Sequence, residues 1–362
     1  MKSSSTICCA RIPQKGGNGT ANGGGIGLYG SVVDGDTLSS SQHPIFVFPL
    51  LCTHGTPVAD MLAHSPPLPI IIDHVDQSSH TISKDEEGIL LALRHRDRVR
   101  CVCLRKPAPT LKKLITVLDG DFPILDLFIV PLVPHVVADA NFNVPKMFRA
   151  PHLRHVLLTD FLTPIVSASF ANMENLVILS LSQMTQIPSP VHYDHPIGLF
   201  QLVSLMHCLE ILEISFIHYY PSPDVERRLL GNMPRVTLPS LRLLGFAGIS
   251  FYLEECLPWV TIPSLEGLRV RFFDCTIYSI ADIPQSMNIV GNVRLGADAA
   301  TLTFSDDFLH VEASPREGNR MYTLDITIPG RTLYCQVPFT TQVFHRLRTV
   351  FSAVEHSWSI LP

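Results

Sequence analysis

An apolar residue, two free positions, an apolar residue, one free position and a third apolar residue: this spacing returns along most of the chain. It reads Val99-Val102-Leu104, Leu125-Phe128-Val130, Leu153-Val156-Leu158 and Leu176-Leu179-Leu181. It continues as Leu209-Leu212-Ile214, Leu241-Leu244-Phe246 and Leu265-Leu268-Val270, with a degenerate copy near Val293-Gly296-Ala297. The starts are separated by 26, 28, 23, 33, 32, 24 and 28 residues. A phrase at this period requires one short strand per repeat and a return segment behind it, because one unit alone cannot bury its apolar side. Neighbouring units must stack, which makes the fold quasi-one-dimensional and its surface suited to recognition.

Phrase and period are those of a leucine-rich repeat. The expected fold class is α/β: an irregular leucine-rich-repeat solenoid, with a curved parallel sheet and helices and loops on its convex side. Residues 44–362 are assigned to it. Hydrophobic residues make up 46% of the chain and charged ones 16%, enough apolar surface for a core of that size. Residues 1–43 are expected to be disordered. Gly16–Gly30 is dominated by Gly and Asn, and Ser39–Ser41 is all Ser, so little apolar area offsets chain entropy there.

Strands are expected at Ile45–Leu51, Leu68–Asp73, 98–104, 125–130 and 153–158. Helices are expected at Val58–His64, from Ser83 onward, and at 110–118, 197–207, 224–231, 250–257 and 342–356. Ser83 and Glu86 form a capping box, and Asp85, Glu86 and Glu87 suit the positive end of that helix. Alternating strands and helices imply parallel pairing. Many of the 29 prolines sit just before a phrase, as in Pro151-His152-Leu153, Pro239-Ser240-Leu241 and Pro263-Ser264-Leu265, where they suit an extended entry to the strand.

In-register stacking brings the residue after each first apolar position into one line: Arg100, Asp126, Arg154, Val177, Glu210, Arg242, Glu266 and Arg294. Signs alternate nearly throughout, which predicts a ladder of weak cross-strand ion pairs. The next line reads Cys101, Leu127, His155, Ile178, Ile211, Leu243, Gly267 and Leu295. It is mostly apolar although strand alternation turns it away from the core. Either both sheet faces are covered or this face is a docking surface.

Few residues argue for chemistry. Gly25-Ile26-Gly27-Leu28-Tyr29-Gly30 spells G-x-G-x-x-G but lacks the strand before it and the helix after it, so it reads as linker. His152 and His155, and His192 and His195 with Asp194, have metal-like spacing but fall at a strand entry and in a loop. Asp73 and Asp76, with Asp85, Glu86 and Glu87, could hold a cation and read better as turn and cap residues. No G-x-S-x-G, P-loop or Cys-x-x-Cys is present. No metal, cofactor or catalytic residue is assigned. The nine cysteines are scattered and read as reduced, small hydrophobes of an intracellular protein. The net charge of −5 gives no basic field for nucleic acid, and no apolar stretch is long enough to span a membrane.

Several phrases carry a resemblance. Cys52-Thr53-His54-Gly55-Thr56-Pro57-Val58, Ser65-Pro66-Pro67-Leu68-Pro69-Ile70-Ile71-Ile72-Asp73, Asp85-Glu86-Glu87-Gly88-Ile89 and Arg96-Asp97-Arg98-Val99 stand in order along the chain. Ala150-Pro151-His152-Leu153-Arg154-His155 and Ser250-Phe251-Tyr252-Leu253-Glu254 follow. This run, over about residues 50–356, resembles the F-box-like/leucine-rich-repeat families of mushroom-forming fungi. The resemblance implies a protein-recognition region that selects targets for ubiquitination. Such proteins dock on a Skp1-type adaptor through an N-terminal F-box with a Leu-Pro opening and tryptophans. Residues 1–50 contain neither, so adaptor binding is expected only if a cryptic F-box exists. The solenoid is expected to be truncated at both ends.

The resulting expectation is a non-catalytic module, cytoplasmic or nuclear, that binds a protein partner of unknown identity. Its surface would include Arg100, Asp126, Arg154, His155, Glu210, Glu213, Arg242, Glu266, Arg269 and Arg294. A truncated scaffold without a ligase role is the alternative; a hydrolase or nucleotide-binding enzyme is a third reading that the missing motifs oppose.

Overall fold

A computed structural model describes residues 49–74, 83–105, 108–130, 148–159, 173–183, 199, 202–216, 235–248, 259–272, 299–304, 308–314 and 324–329. All belong to the unit Val47–Pro362. The segment 1–43, Arg294, the degenerate phrase at 293–297, His192 and His195, and the helices expected at 224–231, 250–257 and 342–356 lie outside the described residues.

The N-terminal part alternates strand and helix: β1 (Leu50–Cys52), α1 (Val58–His64), β2 (Ile70–His74), α2 (Ser83–Arg94), β3 (Val99–Leu104), α3 (Ala108–Val117) and β4 (Leu127–Val130). Then follow β5 (His155–Thr159), β6 (Ile178–Gln183), β7 (Ile211–Phe216), β8 (Val236–Thr237), β9 (Leu243–Gly248), β10 (Val260–Thr261) and β11 (Gly267–Phe272). The last strands are β12 (Ala299–Phe304), β13 (Phe308–Ser314) and β14 (Leu324–Pro329). Helical backbone also occurs at residues 199, 202 and 203, inside the helix expected over 197–207.

One sheet holds twelve strands in the order β1-β2-β3-β4-β5-β6-β7-β9-β11-β14-β13-β12. From β1 to β11 the order follows the chain and every pair is parallel. This is an α/β fold with a large parallel sheet, compatible with a solenoid. Beyond β11 the rule changes. β14 pairs with β11 in parallel, but β13 and β12 continue the sheet antiparallel. No phrase in the sequence announced that change.

Register explains the phrase. Val102, Phe128, Val156, Leu179, Leu212, Leu244 and Leu268 are successive partners across the sheet, and so are Leu104, Val130, Leu158, Leu181, Ile214, Phe246 and Val270 (directly or through the intervening register). All are buried in one continuous core. Helices α2 and α3 close this core behind the first strands with Ile89, Ala92, Leu93, Leu111 and Leu114. Helix α2 touches both α1 and α3.

Val99, which opens the first phrase, begins β3 itself. In five of the later phrases the first apolar residue lies outside the strand and ends a tight turn, donating its N–H to the carbonyl three residues back: Leu125 to Phe122 (3.3 Å), Leu153 to Ala150 (3.0 Å), Leu176 to Met173 (3.2 Å), Leu209 to Met206 (3.1 Å) and Leu265 to Ile262 (3.4 Å). Pro123, Pro151 and Pro263 occupy the second turn position, where a fixed φ is pre-set. The expectation of an extended entry is therefore corrected: these prolines make a corner. The corner buries both its ends, Phe122 with Leu125 and Met173 with Leu176.

A side-chain ladder joins successive corners. Asn175 Nδ2 donates to Pro151 O (2.8 Å), Ser240 Oγ to His207 O (2.6 Å) and Ser264 Oγ to Pro239 O (2.8 Å). Each donor stands third in its turn, and each acceptor stands second in the turn of the preceding repeat. Beside them, Asp121 bridges to Arg149, and β8 pairs with β10, as short parallel contacts one step earlier in the chain.

Cys208 holds the third turn position without a strong donor, and the corresponding acceptor is the Glu174 carbonyl. Cys208→Asn should therefore extend the ladder and raise stability by about 0.5–1.5 kcal/mol, while Ser264→Ala should lower it by a similar amount. Urea unfolding of both variants checks this; unchanged midpoints would remove the ladder as a stabilising device.

Candidate functional site

Strand alternation presents a second face, turned away from the core. Its first line runs Leu51, Ile71, Cys101, Leu127, His155, Ile178, Ile211, Leu243 and Gly267 in direct register. Its second line runs Asp73, Cys103, Ile129, Leu157, Ser180, Glu213, Gly245, Arg269 and Asp325. The first line is apolar apart from His155 and Gly267, while the second passes from Cys103, Ile129 and Leu157 to Ser180, Glu213 and Arg269, with Asp73 at its start.

Burial on this face is graded rather than uniform. Leu51 on the edge strand is 49% exposed, whereas Cys101 and Leu243 are buried at 3% and 7%. Leu127, Ile129, His155, Leu157, Ile178 and Ile211 are half-buried. The line is neither fully covered nor fully open.

The charge line forms ion pairs at Arg100–Asp126 and around Arg242, and no ion pair is formed between Asp126 and Arg154. Backbone N–H groups of Asp126, Arg154, Val177, Glu210, Arg242 and Glu266 donate in turn to the carbonyls of Arg100, Asp126, Arg154, Val177, Glu210 and Arg242, at 2.7–2.9 Å. Arg100 Nη2 lies 3.9 Å from Asp126 Oδ2. Arg242 stands between Glu210 (3.9 Å) and Glu266 (2.6 Å), and the Glu266 carboxylate holds the guanidinium pKa up. Val177 separates these two groups. Arg154 shares the backbone line and is exposed.

Glu213 and Arg269 meet at 3.5 Å although β9 lies between their strands. The intervening residue is Gly245, where a β-carbon would sit 3.0 Å from Glu213 Cγ. A glycine there opens the path for a pair two strands apart. Sequence reading placed both residues on this face but did not see that Gly245 connects them.

His155 lies between Leu127 and Ile178 in register. Its Nδ1 is buried without a hydrogen-bond partner. Burial holds the imidazole pKa below its ordinary value, opposed by Asp126 and reinforced by Arg154. His152 is instead exposed in the turn Ala150–Leu153, so the two histidines do not converge. Among the described residues no group of three His, Cys, Asp or Glu side chains could hold a metal ion.

The ordered phrases of the N-terminal part turn out to be mated clamps. Asp85 was expected as a helix-dipole residue; it is buried, accepts the Gly55 N–H at 3.1 Å and pairs with His54 Nδ1. Gly55 has φ +74°, and Thr53 and Thr56 close the same turn through Thr56 Oγ1. Glu86, in the first turn of α2, accepts from Lys113 Nζ at 2.9 Å. Arg98 donates to Leu68 O, Ser65 Oγ and Pro66 O, tying the Arg96–Val99 phrase to Ser65–Leu68. Arg96 donates to Val117 O and lies over the Phe122 ring, against Gly120 at φ +138°.

Among the described cysteines, Cys52, Cys101 and Cys103 are buried and Cys208 is exposed. Burial pushes the Cys52 thiol up to about 11, with Arg98 pulling the other way, so the nucleophilic thiolate is scarce at neutral pH. No helix among the described residues is long and apolar enough to cross a membrane.

The Arg242 pairs are exposed and should be weak. A double-mutant cycle between Arg242→Ala and Glu266→Ala should give a coupling of about 0.2–1 kcal/mol that shrinks in high salt. A coupling insensitive to salt would argue against an electrostatic ladder.

No family model, curated protein or solved structure matches this chain.

Proposed function

We propose that this chain is a non-catalytic recognition module that binds a protein partner on the sheet face turned away from the core. The observation that supports this is the change of character along that face, from Leu51, Ile71, Leu127 and Ile178 at one end to Glu213 and Arg269 at the other. A face with an apolar line and charged residues beside it can match a partner by shape and by charge. Its partly exposed apolar residues are not needed for the core, which is complete on the opposite side.

The resemblance adds a narrower role: selecting substrates for a ubiquitin ligase through a Skp1-type adaptor. That role rests on the ordered phrases alone, which in this fold also have a purely structural use as clamps. Partner binding and ligase membership are separable, and so are their tests.

Co-purification with a Skp1-type adaptor, using the full chain and a version without residues 1–50, tests the ligase role. Adaptor binding that depends on those residues supports it; no binding by either version removes it and leaves a recognition scaffold. For the face itself, Ile178→Asp and Arg269→Glu should each weaken capture of a crosslinked partner by about tenfold or more, equivalent to about 1.4 kcal/mol. Ser264→Ala on the turn edge should leave capture unchanged. Equal capture by all three variants would rule this face out.

A further inference from the structure

An imidazole in an apolar strip is usually found with both nitrogens satisfied or exposed. His155 is neither. Leu127 and Ile178 flank it in register, Leu157 follows two residues on along the same face, and Nδ1 is buried without a partner. The charged groups facing it are Asp126, between the corner and β4, and Arg154, from its own segment; Ile178 of β6 and Val177 just before it carry none.

A neutral imidazole tolerates this setting because its body is apolar. An imidazolium does not. Protonation would place charge in a half-buried site and leave an N–H donor with no acceptor, while Arg154 repels it. The nearest compensating charge is the Asp126 carboxylate, beside which Arg100 already lies at 3.9 Å. The charged ring must therefore swing toward solvent or compete with Arg100, and either movement breaks the strip.

We propose that His155 is a proton-operated switch of the outer face: neutral, it completes an apolar strip with Leu127, Leu157 and Ile178; protonated, it puts a cation there and closes the strip to apolar ligands. Its biological use rests on the recognition reading above. The sign follows from burial. The folded-state pKa is lowered from the ordinary 6.5, so the unfolded chain takes up this proton first. The group's contribution to stability is intact above 6.5 and is lost as the pH falls below it toward the folded value.

The probe is the neutral dye Nile red, added to the full chain at about pH 7.5 and then in steps downward to the lowest pH at which far-UV circular dichroism still shows the fold, because burial moves the His155 transition below the ordinary histidine range. The wild type should lose severalfold in dye fluorescence within that range. His155→Phe and His155→Gln, neither of which can take the proton there, should keep it throughout; two variants guard against one failing to fold. Leu127→Asp should be dim throughout. If the wild type and both His155 variants share one pH dependence, the switch is overturned while the recognition face stands. If Leu127→Asp binds dye like the wild type, the strip is not an accessible apolar surface, and the recognition reading falls together with the switch.

Discussion

The structure depends on one repeated backbone bond: the residue just past each corner donates its N–H to the carbonyl of its counterpart in the preceding repeat. Asp126 donates to Arg100, Arg154 to Asp126, and the series continues to Glu266 on Arg242 without a missing rung. This bond fixes which residue of one repeat stands beside which residue of the next. Every column of the sheet, in the core and on the outer face, follows from it, because a slip of one residue would turn each apolar side chain to the wrong side.

The corner makes that bond reproducible although return segments differ in length by up to ten residues, 33 against 23. A four-residue turn needs no particular return path. It needs an apolar residue at each end and a residue in the second position that accepts the turn, for which Pro123, Pro151 and Pro263 are suited. The Asn175, Ser240 and Ser264 donors then lock each corner to its predecessor. Where the return is helical, a second set of links is added. Asp85 grips the Gly55 turn, and Arg98 grips Ser65, Pro66 and Leu68. These polar anchors sit at the ends of elements, where backbone groups lack partners within their own helix or strand.

The outer face inherits its order from the same register but not its composition. From β3 to β11 the core columns are apolar and buried, and on β2 the Leu104 column takes in the buried His74. Outer columns are free to vary, and they do: Cys103, Ile129 and Leu157 give way to Ser180, Glu213, Gly245 and Arg269 along a single line. The proposed recognition role draws on this change of character along the line. Gly245 shows how little is needed to create a specific feature, since removing one side chain lets Glu213 reach Arg269 across an entire strand.

The phrase spacing by itself did not determine the second short strands β8 and β10. It did determine the main strand of each repeat, the parallel order of these strands from β3 to β11, the buried columns and the alignment of Arg100, Asp126, Glu210, Arg242 and Glu266. These are set by local alternation and by a period, both of which are properties of a linear string. The helix Val58–His64 was legible for the same reason, through its length and the Ser-Pro-Pro that ends it. Four things were decided only in the tertiary structure. The prolines became corners rather than strand entries, because the turn bond closes against a buried pair. Asp85 and Glu86, in the first turn of their own helix as expected, also serve neighbouring elements, because Gly55 and Lys113 come within reach only after stacking. The sheet passed from parallel to antiparallel at β14, and His155 was left with a buried, unpartnered nitrogen, because partners from distant repeats, not the residue types themselves, set strand direction and hydrogen-bond supply.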